Sequence, residues 1–107
     1  NSLKNKNIYM LICEESIDKS KIGIVRFNIY EDFSIVSINL SPQMKAMGLG
    51  FSCLKNSISR FKKDFENIKY LTAEIKIDNI PSIKTFKKVG FILEKESNNI
   101  NLYKLIL

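Results

Sequence analysis

The 107-residue chain has no histidine and no tryptophan, and it contains only two cysteines, four glycines and two prolines. Without histidine, the commonest general base and metal ligand is missing from any catalytic scheme. Cys13 and Cys53 lie far apart and match no metal-ligand spacing, so we expect no metal site and interpret both as reduced, buried thiols. No apolar run approaches the roughly 20 residues of a membrane span, and no signal-peptide pattern is present. These features predict a cytoplasmic protein without a membrane partner.

The charge of the chain is positive and is spread along its length. The net charge is +6 and the isoelectric point is near 9.4, while 45% of the residues are hydrophobic. A basic surface suits a polyanionic ligand such as a nucleotide, a cofactor phosphate or RNA. Residues 1–107 are long enough for a single domain. Because the chain starts at Asn1 and not at methionine, it is also open that this domain is a fragment of a longer chain.

Hydrophobic periodicity divides the chain into eight elements. The predicted strands are Asn7–Glu14, Lys21–Tyr30, Phe33–Leu40, Leu71–Ile77, Phe91–Glu94 and Asn101–Leu107, and the predicted helices are Phe51–Phe65 and a short one between Asn79 and Gly90. Short connections make the first three strands an antiparallel meander, whereas the connection through the first helix allows a right-handed crossover to a parallel strand. The expected fold is therefore α/β (α+β), in the order β-β-β-α-β-α-β-β, with a mixed, mostly antiparallel sheet and one parallel pair.

Two glycines, Gly48 and Gly50, lie where the third predicted strand gives way to a helix. The first amides of a helix have no internal partners and lie at the positive end of its dipole, so they favour an anion. Because glycine has no Cβ, a phosphate could approach this backbone closely. The alternative is a strand–turn–helix corner in which glycine serves only tight packing, and the spacing by itself leaves both interpretations open.

Two motifs resemble those of the GNAT superfamily, the acyl-CoA N-acyltransferases. Lys45–Gly50 is similar to the family's Gln/Arg-x-x-Gly-x-Gly/Ala loop, and Asn79–Phe91 is similar to its asparagine followed by a short helix that ends in Gly-Phe. The motifs occur in the right order on a matching β-α-β-α framework, and the resemblance covers roughly Ile8–Leu107. The second motif and the strand before it also resemble acetyltransferases that act on amino-sugar nucleotides in bacterial surface-polysaccharide pathways.

The resemblance implies acetyl-CoA as co-substrate and a small primary amine as acceptor. The residues whose amides would bind the pyrophosphate are Lys45, Ala46, Met47, Gly48, Leu49, Gly50 and Phe51. The backbone of Ile38, Asn39 and Leu40 would bind the pantetheine arm, with the Leu40 amide as an oxyanion donor to the thioester carbonyl. Asn79 would face the pantetheine amides, although helix capping alone would also explain an asparagine there.

Two departures from the family are visible in the sequence. The family's first strand and two N-terminal helices, which help to shape the acceptor pocket, have no counterpart. The family's frequent tyrosine, the proposed acid for the leaving thiolate, falls on Phe86, whose ring would by this resemblance line the cofactor site but cannot donate a proton. Another group or water must then protonate the thiolate, or the activity is weak.

The reaction requires a base near the attacking amine, and Glu74 is the candidate because it points away from the apolar face of its strand. A solvated surface carboxylate is the alternative interpretation of Glu74. Ser37 and Asn39 could instead relay a proton through water. Arg26, on an otherwise apolar strand, could bind an anion of the acceptor or form a cross-strand ion pair.

Two functions of other classes remain open from the sequence. A GNAT fold that has lost activity could bind CoA as a regulatory domain, and Phe86 is compatible with this. A small basic domain could also bind RNA by stacking and charge, but aromatic and basic residues are not interleaved here, which argues against a nucleic-acid partner. Whether the chain forms a homodimer is also open.

Overall fold

The computed structural model describes residues 7–14, 21–40 and 49–107. Its strands are β1 (Asn7–Glu14), β2 (Lys21–Ile29), β3 (Phe33–Leu40), β4 (Tyr70–Lys76), β5 (Ile92–Lys95) and β6 (Ile100–Ile106), and its helices are α1 (Gly50–Asp64) and α2 (Ile80–Val89). In the described residues the strands form one sheet in the order β1-β2-β3-β4-β6-β5. The pairing is antiparallel except between β3 and β4. The predicted fold class is confirmed, and the predicted bounds differ from these by about one residue.

Helix α1 packs its apolar stripe on one face of the sheet. Leu54, Ile58 and Phe61 recur at helical spacing and are buried. Phe61 stacks on Phe27 of β2, with 4.2 Å between the ring centroids. Each such buried side chain contributes roughly 1.5–3 kcal/mol from removal of apolar surface from water, so these contacts fix the position of α1 and of its first turn.

A disulfide joins Cys13 of β1 to Cys53 of α1, with 5.9 Å between the Cα atoms. The expectation of two reduced thiols is therefore wrong. Cys13 belongs to the same face of β1 as Tyr9 and Leu11, which pack against the core, and Cys53 lies on the buried stripe of α1. Because strand and helix are packed face to face, the two sulfur atoms meet, although the cysteines are distant in sequence.

The opposite face of the sheet is exposed at its β1 edge. Ile8, Met10 and Ile12 alternate with the packed residues of β1 and are 44%, 58% and 60% exposed. Further across this face lie the exposed residues Arg26 and Glu74. We call this side of the sheet, which is opposite α1 and includes Met10, Arg26 and Glu74, the open face. None of the described helices is long and apolar enough to cross a membrane.

Candidate active site

The parallel strands β3 and β4 separate after three residue pairs. Residues 33–35 pair with residues 70–72, whereas β3 continues to Leu40 and β4 to Lys76. Each strand keeps its other neighbour over that length, because β3 pairs with β2 as far as Leu40 and β4 pairs with β6 as far as Lys76. No described strand lies between them beyond the third pair. The facing edges thus present backbone N–H and C=O groups to which an extended chain can bind.

A cavity of about 310 Å³ lies in this gap. The residues that line it are Val36, Ser37, Ile38, Ala73, Glu74, Ile75, Lys76, Asn79, Ser82 and Phe86. Five of the residues that the sequence singles out, which come from β3, β4 and α2, meet here: Ser37, Ile38, Glu74, Asn79 and Phe86. Asn39 does not line the cavity; it pairs with Ile24 of β2 and is exposed.

The predicted pyrophosphate loop lies only partly within the described residues. Lys45, Ala46, Met47 and Gly48 lie outside them, as does the side chain of Leu40. Leu49, Gly50 and Phe51 form the start of α1, where Leu49 occupies the N-cap position and has no polar side chain to cap the helix. With no acidic residue in the first turn, the first amides of α1 keep their attraction for an anion.

Lysine side chains lie beside this helix start. The Lys88 ammonium of α2 lies 4.6 Å from the centroid of the Phe51 ring, and the Lys55 ammonium lies 5.5 Å from it. Cation–π contacts of this kind hold a charge in place without neutralising it. The first turn of α1 is therefore flanked by two fixed positive charges, which adds to the attraction of its amides for a phosphate.

Local chemistry fixes both ends of α2. The Ser82 N–H donates to Asn79 Oδ1 at 3.4 Å, so Asn79 caps the helix as capping alone would predict. Gly90 follows the helix with φ of 124°, and its N–H donates to the Lys87 and Phe86 carbonyls while the Phe91 N–H donates to Phe86. This is a Schellman motif, in which only glycine takes the positive φ without strain. The cap of Asn79 uses only its oxygen, so its Nδ2 amide remains a donor for a ligand.

Phe86 is 3% exposed and packs edge-on against Phe91, with 5.0 Å between the ring centroids. Glu74, by contrast, is exposed and extends into the same cavity from β4. The polar side chains at this cavity therefore include a carboxylate at Glu74, a hydroxyl at Ser82 and an ammonium at Lys76. Such a set can accept a proton from a nucleophile and donate one to a leaving group.

Sequence reasoning missed Lys76 and Ser82, although each had a detectable signal. Lys76 lies two residues after Glu74 on the same strand and so shares its face. Ser82 precedes Phe86 by four residues on α2 and so lies on the same side of that helix.

Comparison with known proteins identifies the chain. The model of the acetyltransferase (GNAT) family matches residues 2–91. The chain belongs to the GNAT acetyltransferase family. The resemblance predicted from the two motifs is thereby confirmed, while no curated protein matches the chain significantly.

Solved GNAT structures share the fold of this chain. The ribosomal-protein-S5-alanine acetyltransferase of Vibrio fischeri is 18% identical with a TM-score of 0.82, and the match covers 92% of this chain and 61% of that one. The spermidine N-acetyltransferase of Vibrio cholerae, solved with CoA and spermine, is 13% identical with a TM-score of 0.80, covering 94% and 66%. The N-acetyltransferase PseH of Campylobacter jejuni, solved with acetyl coenzyme A, is 25% identical with a TM-score of 0.69, covering 83% and 62%. The chain thus spans less than two-thirds of the length of each of these proteins.

Proposed function

We propose that the protein is an N-acetyltransferase that moves an acetyl group from acetyl-CoA to the primary amine of a small molecule. The observation that carries this proposal is the separation of β3 and β4, which leaves a cavity of about 310 Å³ bordered by unpaired strand edges. Family membership supports it, and so does PseH, which was solved with acetyl coenzyme A. An extended pantetheine arm has amide groups along its length, so it can bond to the edges of β3 and β4 as an added strand would.

The phosphates would be bound where the gap meets the first turn of α1. The amides of Gly50 and Phe51 together with those of the preceding loop are the proposed donors, and Lys88 adds positive charge beside them. With the phosphates at this end, the pantetheine arm would enter the gap beside Leu40 and run along Asn39 and Ile38 toward Ser37 and Glu74, where a backbone N–H of β3 would stabilise the oxyanion of the thioester carbonyl. Leu40, the donor that the resemblance implies, lies at the phosphate end of this path. No metal ion is needed for this arrangement, since amides and lysines supply the positive charge.

The acceptor amine must lose a proton before or during its attack on the thioester carbonyl, and Glu74 is the proposed base. Its carboxylate lines the cavity from β4, so it can receive this proton directly or through one water molecule. A new C–N bond then forms, the C–S bond breaks, and CoA leaves as a thiolate that takes up a proton. Ser82 and Lys76 lie in the same cavity and are the proposed donors in place of the tyrosine missing at Phe86.

For the acceptor we propose an amino-sugar nucleotide, on the strength of the motif resemblance of Asn79–Phe91 and the strand before it. A cytoplasmic location goes with this proposal, because acetyl-CoA and nucleotide-linked sugars are made and used there.

A thermal shift with acetyl-CoA tests the cofactor site without a guess about the acceptor. Ligand at 100 times its Kd stabilises the folded state by about 2.7 kcal/mol, which for 107 residues corresponds to a rise in Tm of roughly 12 °C. The rise should be absent with the same concentration of ATP, and it should be lost in Gly48→Trp, because the indole would occupy the space of the pyrophosphate. A Gly48→Trp variant that folds and binds acetyl-CoA normally would show that the loop is misplaced.

Phe86 specifically favours a second function, a CoA-binding regulatory domain without turnover. Such a domain would show the thermal shift but would release no CoA thiol in the presence of any amine. Acetylation assays that follow CoA release, with amino-sugar nucleotides and simple amines as acceptors, distinguish the two functions.

A further inference from the structure

Arg26 is a lone cation among neutral neighbours on the open face. Its partners in the sheet register are Met10 on β1 and Ser37 on β3. Its side chain is exposed, and its Nε donates to Asn28 Oδ1 at 3.2 Å. Within the described part of the chain, Arg26 forms no ion pair with a carboxylate, so the cross-strand pair considered above does not occur there. The bond to Asn28 orients the guanidinium and leaves its two Nη groups for a ligand.

The position of Arg26 connects it to the cavity. Ser37, its register partner, lines the cavity, and Glu74 lines it from the other side. Continuing the β3–β4 register from Ile35 opposite Thr72 places Ser37 across the gap from Glu74. Paired strands lie about 4.8 Å apart, and a gap that holds one added chain widens the β3–β4 spacing to about twice that, so the Cα atoms of Arg26 and Glu74 are separated by roughly 14 Å. The guanidinium and the proposed base thus lie in one row, on either side of the thioester position.

The charges around this row favour an anionic acceptor. Lys76 follows Glu74 on the same face of β4 and also lines the cavity. Lys104, further across the face on β6, lies 3.5 Å from Glu94 and 4.2 Å from the centroid of the Tyr70 ring, so its charge is engaged. Among Arg26, Ser37 and the described residues that line the cavity, Glu74 is the only carboxylate, whereas Arg26 and Lys76 are two cations. A polycationic amine would be repelled at this entrance, whereas an anion would be attracted.

We propose that Arg26 is the residue that binds an anionic group of the acceptor, a phosphate or a carboxylate, while the acceptor's amine lies at Glu74. This inference rests on the proposed acetyltransferase function and adds the acceptor's chemical class and the residue that selects it. The planar guanidinium donates two parallel N–H bonds to such an oxyanion, which fixes orientation as well as affinity. An acceptor that fits carries its amine and its anion several bonds apart, as a sugar phosphate or a nucleotide sugar does.

Two pairs of test compounds distinguish the contribution of the anion to binding from that of the amine. Glucosamine 6-phosphate and glucosamine share an amine and differ in a phosphate, and γ-aminobutyrate and its amide differ in a carboxylate. Binding of each compound is measured by calorimetry on the full chain saturated with CoA, and acetylation is followed by CoA release from acetyl-CoA. The variants are Arg26→Gln, Arg26→Lys and, as the matched control, Arg60→Gln, which removes the chain's other arginine from an exposed position on α1.

Wild-type protein should bind at least one anionic compound about tenfold or more tightly than its neutral partner. Arg26→Gln should remove this preference by raising Kd and KM for the anionic compound, while the Kd and KM of its neutral partner and the KM for acetyl-CoA stay at the wild-type values. Arg26→Lys should retain part of the preference, and Arg60→Gln should retain all of it. The compound pair that shows the larger preference for its anionic member indicates whether the anion is a phosphate or a carboxylate.

The inference is overturned if wild-type protein prefers neither anionic compound, or if Arg26→Gln and Arg60→Gln lower the preference equally. Binding and turnover are separate readouts, so the two proposals can fail independently. An anion preference that depends on Arg26 without CoA release would refute the acetyltransferase proposal alone. Acetylation of neutral and anionic amines at equal KM would refute the role of Arg26 alone.

Discussion

Breaking the Cys13–Cys53 disulfide should lower the stability of the protein by a large and calculable amount. The bond closes a loop of 40 residues, from the edge strand β1 to the first turns of α1. In the chain-entropy account, such a loop restricts the unfolded chain by about 13 cal/mol/K, which is about 4 kcal/mol at 25 °C. The unfolding entropy of 107 residues is roughly 225 cal/mol/K, so the loss corresponds to a fall in Tm of about 17 °C.

The assay is thermal unfolding followed by circular dichroism, with and without a phosphine reductant. Because the chain has no other cysteine, the reductant has a single target. The matched control is the double variant Cys13→Ala/Cys53→Ala, which should melt near the reduced wild type and should not respond to reductant. Mass spectrometry confirms each state, since reduction adds two hydrogen atoms to the chain.

Two results would refute this reasoning. Wild-type protein is purified without reductant and unfolded in guanidinium. If two thiols can then be titrated, the Cys13–Cys53 disulfide does not form. If oxidised and reduced proteins differ in mass but melt within about 2 °C of each other, loop closure does not limit the unfolded chain as the entropy account requires.

Three further predictions concern the core, a turn and a tyrosine. Phe61→Ala should destabilise the protein by about 3–5 kcal/mol in urea unfolding, because it empties the centre of the aromatic core, and a loss under 1 kcal/mol would contradict that packing. Gly90→Ala should cost about 1–3 kcal/mol because φ at this residue is 124°, and an unchanged midpoint in the same titration would argue against the turn. The Tyr9 hydroxyl donates to Asp64 Oδ2 at 2.6 Å, and this bond raises the pKa of Tyr9. Its stabilising effect is present below the unfolded pKa of about 10 and is lost as pH rises through the folded pKa, so wild type and Tyr9→Phe should differ in unfolding free energy at pH 8, and this difference should shrink as the pH is raised beyond 10.

Features that depend on neighbours in sequence were predictable. The stop at Gly90 and the cap at Asn79 follow from the chemistry of single residues, and the alternation of Val25, Phe27 and Ile29 identifies the buried face of β2. The parallel pairing of β3 with β4 followed from the length of the connection between them. In each case the outcome depends on an interaction between residues close in sequence or on a rule of strand connectivity. The packing of helices on the sheet therefore did not need to be known.

Features that depend on how elements pack were not predictable. The disulfide requires that the inner face of β1 meets the buried stripe of α1 at the level of Cys13 and Cys53, which no local pattern specifies. The inclusion of Ser82 in the cavity likewise depends on where α2 crosses the end of β4. The pyrophosphate loop is a different case: the roles of Lys45 and Gly48 stay predictions, because both lie outside the described residues.

The replacement of a tyrosine by Phe86 is less harmful to the proposed reaction than a loss of Glu74 would be. The Phe86 ring packs against Phe91 across the turn that ends α2, so an aromatic ring is required there for packing whether or not it carries a hydroxyl. A thiol has a pKa near 8.5, so the departing thiolate is stable enough to wait for a proton from Ser82, Lys76 or water. An alkylammonium has a pKa near 10.4 and cannot attack until it has lost its proton, which makes the base the more demanding requirement. We therefore expect Glu74→Gln to lower kcat by a factor of about 100 or more, whereas Phe86→Tyr should raise kcat by less than tenfold. Both values are measured in steady-state assays at pH 7. A larger change in kcat for Phe86→Tyr than for Glu74→Gln would show that protonation of the thiolate limits the rate.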